Sequence, residues 1–205
     1  VQILENDKKN FEILLLTANK NIKALLIQAN KFNVKNLIVT DPKKFLELKD
    51  KLKSKKINIF NNYDSLNKIL KNKKADYTMN AITGLKGLYP TLKVIKFSKN
   101  IAIANKESII CGWPLIQTNL KKYKTKFIPI DSEHFSIWSL IADAKNNNIE
   151  KLFITASGGP FDNLALSNFK SITPKLALKH PSWKMGKKIS VDSATMMNKI
   201  FEVIE

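Results

Sequence analysis

The first half of the chain alternates short apolar runs with helical patterns, and this alternation limits the possible folds more than any other feature. The runs are EILLLT (residues 12–17), NLIVT (36–40), INIF (57–60), YTMNAI (77–82) and NIAIAN (100–105). Strands that are apolar throughout are buried on both faces, as happens when helices cover both sides of a parallel sheet. The sequence therefore predicts an α/β fold with a doubly wound parallel sheet, an architecture typical of dinucleotide-binding domains.

Two further strands are predicted in the second half of the chain, and each leads directly into a polar segment. KFIPI (126–130) precedes DSEH, and KLFITA (151–156) precedes SGGPF. Open α/β sheets place their ligands at the carboxyl ends of strands. We therefore expect a dinucleotide-binding domain over residues 1–105 and an α/β catalytic domain over residues 106–205.

Both ends of the chain fall within helical patterns. VQILE (1–5) is typical of the end of a helix, and KIFEVIE (199–205) is typical of a helix that continues. The glycine-rich turn that follows the first strand of a dinucleotide-binding domain is not found in the sequence. We therefore expect both domains to be truncated, the first at its amino end and the second at its carboxyl end.

The composition narrows the class of protein. The 205 residues are 44% hydrophobic, enough for a real core, and the formal net charge is +18. Such a charge could attract nucleic acid, but the basic residues are all lysines, spread along the chain, and arginine is the preferred residue for bidentate phosphate and guanine contacts. No apolar run reaches the roughly 18 residues of a membrane span. Nucleic acid and membrane are therefore not expected partners, and the single cysteine, Cys111, fits a reducing compartment.

Asp131 and Glu133 lie two residues apart, directly after a predicted strand. In an extended segment both carboxylates point to one side, where they repel each other unless a cation such as Mg²⁺ or Mn²⁺ lies between them. The other interpretation is a helix amino terminus, with Asp131 or Ser132 as the capping residue. The spacing alone leaves both interpretations open.

A segment of two glycines follows the next predicted strand. In Ser157-Gly158-Gly159 the glycines allow a tight turn and let backbone N–H groups approach an anion. The same residues also suit an ordinary loop, so this segment alone does not define a site.

The segment HPSWKMGKKISVDSATMMNK (180–199) is rich in side chains that bind phosphate or metal. Ser193 is expected to cap a helix that continues to the end of the chain. On that helix Asn198, Lys199 and Glu202 fall within an arc of about 100°, opposite an apolar face. The polar face either points to water or forms one wall of an active site. Lys106, in ANKES after a strand, is a further candidate.

Four segments together resemble one family closely. They are AIANKESIICGW (102–113), IPIDSEH (128–134), SGGPF (157–161) and the segment 180–199. They resemble 1-deoxy-D-xylulose-5-phosphate reductoisomerases, and a looser likeness extends back to residue 12. The resemblance implies conversion of 1-deoxy-D-xylulose 5-phosphate into 2-C-methyl-D-erythritol 4-phosphate with NADPH and Mg²⁺ or Mn²⁺, a step of non-mevalonate isoprenoid synthesis.

The resemblance also implies roles for individual residues. The expected metal ligands are Asp131, Glu133 and Glu202, and the expected catalytic residues are these three with Lys106 and His180. Substrate binding is expected of Lys106, Ser132, Glu133, Ser157, His180, Trp183, Ser193, Asn198, Lys199 and Glu202. NADPH binding is expected of Lys20, Asn21, Asn105, Glu107, Met185 and Gly186. Trp183 and Met185 would form a flap that closes over the substrate.

The sequence departs from the family at a few positions, and other functions stay open. Ile200 and Phe201 replace the usual Gly and Leu, and Phe135 replaces a small polar residue. The resemblance further implies a homodimer when full length, located in a bacterial cytoplasm or a plastid stroma. The alternatives are a different metal-assisted NADP oxidoreductase, a basic nucleic-acid-binding module and a non-catalytic remnant.

Overall fold

The chain forms an α/β fold in which every paired strand is parallel to its neighbour. A computed structural model describes residues 2–53, 56–71, 73–142, 149–156, 158–181 and 184–205. Within these ranges the strands are β1 (Leu16–Ala18), β2 (Asn36–Val39), β3 (Asn58–Phe60), β4 (Ala75–Asn80), β5 (Ser98–Ile103) and β6 (Lys126–Pro129). They form two three-stranded sheets, ordered β1-β2-β3 and β4-β5-β6. The predicted α/β class with parallel strands is confirmed.

Helices connect the strands along the chain. The α-helices are α1 (Gln2–Asn6), α2 (Ile22–Lys31), α3 (Pro42–Lys51), α4 (Leu66–Ile69), α5 (Leu88–Val94), α6 (Lys106–Tyr123), α7 (Ser132–Ile141), α8 (Pro174–Ala177), α9 (Lys187–Ala194) and α10 (Met197–Ile204). Short 3₁₀ helices span Lys8–Asn10, Tyr63–Ser65, Leu85–Gly87, Ile95–Phe97 and Leu166–Ser171. Among the described residues, no helix has the length and apolar character required to cross a membrane.

The first sheet is covered on both faces, as its continuous apolar strands predict. In β2, Leu37 and Val39 pack in a cluster with α2 and α3, while Ile38 packs with Leu66 and Leu70 on the other face. All three β2 side chains are fully buried. Alternate residues of a strand point to opposite faces, so each face of β2 contributes to a separate part of the core.

The second sheet positions the amino ends of α6 and α7, where several candidate site residues lie. Ile101 and Ile103 of β5 pack against Ile109, Ile116 and Leu120 of α6. This packing places the amino end of α6 at the carboxyl end of β5, with α7 following β6 at the same edge of the sheet. The expected domain boundary falls between β5 and α6, and the sheet continues across it through β6; the division into two domains stays a prediction.

Two expectations about secondary structure are wrong. Residues 151–156 form no strand. The helix expected to begin at Ser193 is two helices, because Met196 adopts a left-handed conformation with φ of 61° and separates α9 from α10. Ser193 therefore lies in the last turn of α9 and is not its capping residue. A left-handed residue ends a regular helix, and periodicity alone does not reveal it.

The polar face of α10 points inward. Glu202 is 2% exposed, whereas Ile200 and Val203 are 49% and 69% exposed. This is the reverse of an ordinary surface helix, whose apolar side packs on the core. The sequence left open whether this polar face points to water or lines a site inside the protein. In the structure it points into the protein.

We expect Leu37→Ala to lower the free energy of unfolding by about 2–5 kcal/mol, because it leaves a cavity beside a fully buried β2 side chain. Leu46→Ala is the matched control, since Leu46 on α3 is 60% exposed and its loss should cost less than about 0.5 kcal/mol. Urea denaturation of the full-length protein measures both. Equal effects of the two substitutions would contradict this description of the core.

Candidate metal and cofactor site

Three carboxylates converge at the carboxyl edge of the second sheet. Asp131 follows β6, Glu133 lies in the first turn of α7, and Glu202 lies on α10. One carboxylate oxygen from each lies within 4.8 Å of the others. Anionic oxygens at this separation repel each other strongly unless cations neutralise them, and hard oxygen ligands are those that Mg²⁺ and Mn²⁺ prefer. The donor set therefore fits a divalent metal.

The local conformation of Asp131 combines both interpretations of its segment. Asp131 occupies the capping position of α7, with φ of −59° and ψ of 137°, yet its side chain makes no capping hydrogen bond. The carboxylate turns instead toward the cluster. Of the two interpretations that the spacing left open, the helix amino terminus is the one observed, because α7 begins at Ser132. Glu133 still reaches Asp131, since it lies in the first helical turn, where the helix dipole favours negative charge.

Lys106 provides one of the positive charges in the cluster. Its Nζ atom lies 2.8 Å from Asp131 Oδ2 and 2.7 Å from Glu202 Oε1, and it donates a hydrogen bond of 3.0 Å to Asn198 Oδ1. Burial by itself lowers the pKa of Lys106, but the hydrogen bonds to Asp131 and Glu202 outweigh it and raise the pKa above its ordinary value. The ammonium group is therefore charged at neutral pH and offsets the carboxylate repulsion.

Lys199 provides the second positive charge. Its Nζ atom lies 3.2 Å from Glu133 Oε1 and also contacts Glu202 Oε2 and the carbonyl oxygen of Thr155. Asn198 Nδ2 donates a hydrogen bond of 2.5 Å to Glu202 Oε1. The resemblance assigns Lys199 and Asn198 to the substrate, whereas here both contact the carboxylates.

Two residues that the sequence analysis did not single out lie beside the carboxylates. His134 Nδ1 is 3.4 Å from Asp131 Oδ1 and 3.7 Å from Glu205 Oε2. The Glu205 side chain is 6% exposed, and burial raises its pKa. Among the described residues, Glu205 Oε2 has no hydrogen-bond partner. The signal for Glu205 was its spacing of three residues from Glu202, which places both on one helical face.

Two of the expected substrate-binding residues, Ser193 and His180, lie close to Gly158. Ser193 Oγ donates a hydrogen bond of 3.2 Å to the Gly158 carbonyl oxygen, and His180 Nε2 lies 3.3 Å from the same oxygen. A Cβ atom added to Gly159 would lie 3.0 Å from the Cα atom of Ala194, so this glycine allows the loop to approach the end of α9 closely. Two separate sequence motifs, SGGPF and the segment 180–199, thus meet at one place.

The remaining substrate residues and two of the expected cofactor residues lie in different parts of the structure. Ser132 Oγ donates a hydrogen bond of 2.7 Å to Glu133 Oε2, which places it beside the cluster. Met185 is half-buried, and Gly186 precedes α9, where its carbonyl oxygen accepts from the backbone N–H of Ser190. Ser157 and the expected flap residue Trp183 lie outside the described residues.

Asn105 is a buried residue whose side-chain amide is only partly hydrogen-bonded. It is 5% exposed, and its Nδ2 atom donates to Gly84 O at 2.8 Å and to Ser108 Oγ at 2.7 Å. Among the described residues, the buried Oδ1 atom has no hydrogen-bond partner. Buried acceptors without partners are uncommon in proteins and costly. An N–H or O–H donor of a bound cofactor would satisfy this oxygen, so Asn105 fits a nucleotide cofactor.

The other expected cofactor residues lie on two elements. Lys20 and Asn21 line a groove of about 530 Å³ between α2 and α3, together with Lys23, Lys44 and Lys51. Lysine side chains suit the phosphate groups of a nucleotide. Asn21 also caps α2, because its side chain accepts from the N–H of Ala24 at 3.0 Å. Glu107 lies in the first turn of α6.

The fold and the site define an α/β protein with three clustered carboxylates at the carboxyl edge of a parallel sheet, a donor set that fits a divalent metal. A model of the 1-deoxy-D-xylulose 5-phosphate reductoisomerase family matches residues 1–112, and a model of the C-terminal domain of the same enzyme matches residues 127–205. The chain belongs to this family, as the sequence motifs predict.

Relatives and solved structures agree with the family. The chain is 63% identical to the 1-deoxy-D-xylulose 5-phosphate reductoisomerase of Pelagibacter ubique and 40% identical to that of Bacteroides thetaiotaomicron, over 100% of this chain and 53% of each relative. The Zymomonas mobilis enzyme in complex with NADPH superposes with a TM-score of 0.85 at 35% identity, over 99% of this chain and 52% of that one. A reductoisomerase in complex with NADPH, fosmidomycin and magnesium superposes with a TM-score of 0.86 at 32% identity, over 98% and 52%. The chain thus spans about half the length of the curated relatives it matches.

We expect Glu202→Gln to weaken Mn²⁺ binding by at least about ten-fold, because it removes one anionic oxygen ligand while preserving the shape of the side chain. Glu12→Gln is the control, since the Glu12 side chain is 71% exposed and pairs with Lys73 away from the cluster. Calorimetric titration of the full-length protein with Mn²⁺ measures both. Unchanged affinity in Glu202→Gln would show that this carboxylate is not a metal ligand.

Proposed function

We propose that this chain forms the cofactor, metal and substrate sites of an enzyme that converts 1-deoxy-D-xylulose 5-phosphate into 2-C-methyl-D-erythritol 4-phosphate. The cofactors are NADPH and a divalent metal, Mg²⁺ or Mn²⁺. The observation that supports this most strongly is the convergence of Asp131, Glu133 and Glu202 around Lys106, in a chain of the reductoisomerase family. The solved relatives that bind NADPH and magnesium support the same cofactors for this chain.

In this proposal the carboxylates hold the metal, and Lys106 acts on the substrate. When bound, the metal supplies a Lewis acid that polarises the oxygens of the substrate. The Lys106 ammonium group has donors for three acceptors and contacts three oxygens, on Asp131, Glu202 and Asn198. Exchanging one of these oxygens for a substrate hydroxyl lets Lys106 orient the reacting carbons and stabilise negative charge that develops beside them.

The phosphate end of the substrate binds at the meeting point around Gly158. Ser193 and His180 lie there, and Lys199 offers a positive charge that a phosphate can take up once metal occupies the carboxylates. The phosphate is remote from the bonds that change, so its binding energy serves to orient the substrate. Ser157 and the flap residue Trp183 are further proposed contacts, as the family resemblance implies.

The cofactor binds between the first sheet and the amino end of α6. Lys20 and Asn21 meet the 2′-phosphate that distinguishes NADPH from NADH, and Asn105 accepts a hydrogen bond from the cofactor at its unpartnered oxygen. Glu107, Met185 and Gly186 lie along the same path in the family resemblance. NADPH, when bound, supplies the reducing equivalent for the second half of the reaction.

The biological setting follows from the same family. We propose that the reaction belongs to non-mevalonate isoprenoid synthesis, in a bacterial cytoplasm or a plastid stroma, with no nucleic-acid or membrane partner. We also propose a homodimer for the full-length protein. The exposed apolar side chains of α10, such as Ile200 and Val203, suit packing against another protein surface.

We expect the full-length protein to oxidise NADPH in the presence of 1-deoxy-D-xylulose 5-phosphate and Mg²⁺. We expect Lys106→Met to lower kcat/KM by at least about a hundred-fold, because it removes the ammonium group. Lys99→Met is the control, because Lys99 pairs with Asp76 at 2.7 Å on an exposed surface. Absorbance at 340 nm and identification of the product by mass spectrometry measure the reaction. Failure of the unmodified protein to form the product would favour a different oxidoreductase or a non-catalytic remnant.

We expect Gly87→Ala to weaken NADPH binding by roughly ten-fold, about the loss of one hydrogen bond. A Cβ atom at this position would lie 2.0 Å from Asn105 Nδ2 and 2.9 Å from the Ile82 carbonyl oxygen, so the Asn105 side chain must move. Gly112→Ala is the control. A Cβ atom at Gly112 would lie 2.3 Å from Leu88 Cδ1, and its three nearest atoms all belong to the Leu88 side chain. Fluorescence titration measures NADPH affinity. Equal losses in both variants would point to a general effect on folding.

A further inference from the structure

One lysine outside the carboxylate cluster joins three helices. Lys188, in the first turn of α9, lies 2.6 Å from Glu107 Oε1 in the first turn of α6. It also lies 2.6 Å from Asp192 Oδ2, one turn later on its own helix. Its Nζ atom is 5.4 Å from the centre of the Phe201 ring on α10, within the range of a cation–π contact. A single ammonium group therefore connects α6, α9 and α10.

Each group that Lys188 contacts is the immediate chain neighbour of a candidate site residue. The three pairs are Glu107 with Lys106, Asp192 with Ser193, and Phe201 with Glu202. Adjacent backbone positions move together, so a shift in any of these contacts is transmitted to the neighbouring site residue. Lys188 itself touches none of the three carboxylates that form the candidate metal centre in the described part of the chain.

The ion pairs of Lys188 are partly shielded from water. The Glu107 and Asp192 side chains are 20% and 19% exposed, whereas that of Lys188 is 48% exposed. Burial alone lowers the pKa of Lys188, but the hydrogen bonds to Asp192 and Glu107 outweigh it and raise the pKa. Burial alone raises the pKa of Glu107, and the hydrogen bond from Lys188 reverses this and lowers the pKa. Lys188 and Glu107 are thus held in their charged forms near neutral pH.

We propose that Lys188 is a positioning residue, which fixes the first turn of α6 relative to α9 and α10 and so sets the distances between Lys106, Ser193 and Glu202. The inference rests on the proposed function, because those three residues act on one substrate and its metal. The Lys188 ammonium group pairs with two carboxylates and lies near the Phe201 ring, so we assign it to holding helices rather than to contacting substrate. A displacement of about 1 Å at such a site can cost about a hundred-fold in rate.

The test compares Lys188→Met with Lys188→Arg in the full-length protein. Methionine keeps the apolar length of the side chain but removes the charge, and we expect it to lower kcat by roughly ten-fold or more. Arginine keeps the positive charge and can pair with both carboxylates through its planar guanidinium group. We therefore expect Lys188→Arg to retain most of the kcat that Lys188→Met loses. Mn²⁺ affinity should fall in Lys188→Met by roughly ten-fold, because residues behind the metal ligands support their orientation.

Lys93→Met is a matched control for the loss of a lysine in the same kind of surroundings. Lys93 lies 2.6 Å from Asp64 Oδ1 and 5.1 Å from the centre of the Tyr89 ring, remote from the carboxylates. We expect this variant to lose a similar amount of thermal stability with unchanged kcat and unchanged Mn²⁺ affinity. Asp192→Asn should reproduce part of the Lys188→Met loss, and the two losses should not add in the double variant, since both break one pair.

The outcomes separate this inference from the proposed function. Unchanged kcat and Mn²⁺ affinity in Lys188→Met would overturn the inference, as would losses that match those of Lys93→Met. A rise in KM for NADPH alone, with kcat unchanged, would also overturn it and make Lys188 a cofactor contact. If the unmodified protein forms no product, the proposed function fails; the Mn²⁺ affinities of the same variants still decide the positioning role.

Discussion

The buried carboxylate of Glu202 is the feature on which the arrangement of the second half of the chain depends. A carboxylate that is 2% exposed and close to two others is costly unless positive charge and hydrogen bonds surround it. Lys106 comes from α6 and Lys199 from α10 itself, and both contact this group. The electrostatic requirement of one side chain therefore holds α10 against α6 and against the start of α7.

This requirement explains why α10 has its polar face inside and its apolar face outside. A helix in a small domain normally buries its apolar side, because removing apolar surface from water is the main source of stability. Here the polar face carries the residues of the candidate site, and residues such as Ile200 and Val203 are left exposed. Such a helix keeps its position through charge pairing, and it is a poor candidate for independent folding.

Polar residues with different contacts also lie side by side at the amino end of α6. Asn105 precedes the helix and keeps one buried oxygen unpartnered, Lys106 reaches the carboxylates, and Glu107 pairs with Lys188. In the proposed function, three consecutive residues thus face the cofactor, the metal-binding carboxylates and a neighbouring helix. The apolar packing of β5 against α6 makes this possible, because it fixes the start of the helix at the carboxyl edge of the sheet.

The sequence by itself determined the α/β class, most strands, and the identity of the residues that meet at the site. Apolar runs such as 36–40 report burial on both faces directly, and motifs such as IPIDSEH carry family identity in their residue order. Only the tertiary structure decided where each face points. Periodicity grouped Asn198, Lys199 and Glu202 on one arc, but it is equally compatible with water or with a buried site. Contacts with elements about seventy to a hundred residues away settled the matter, and local patterns contain no information about such distant partners.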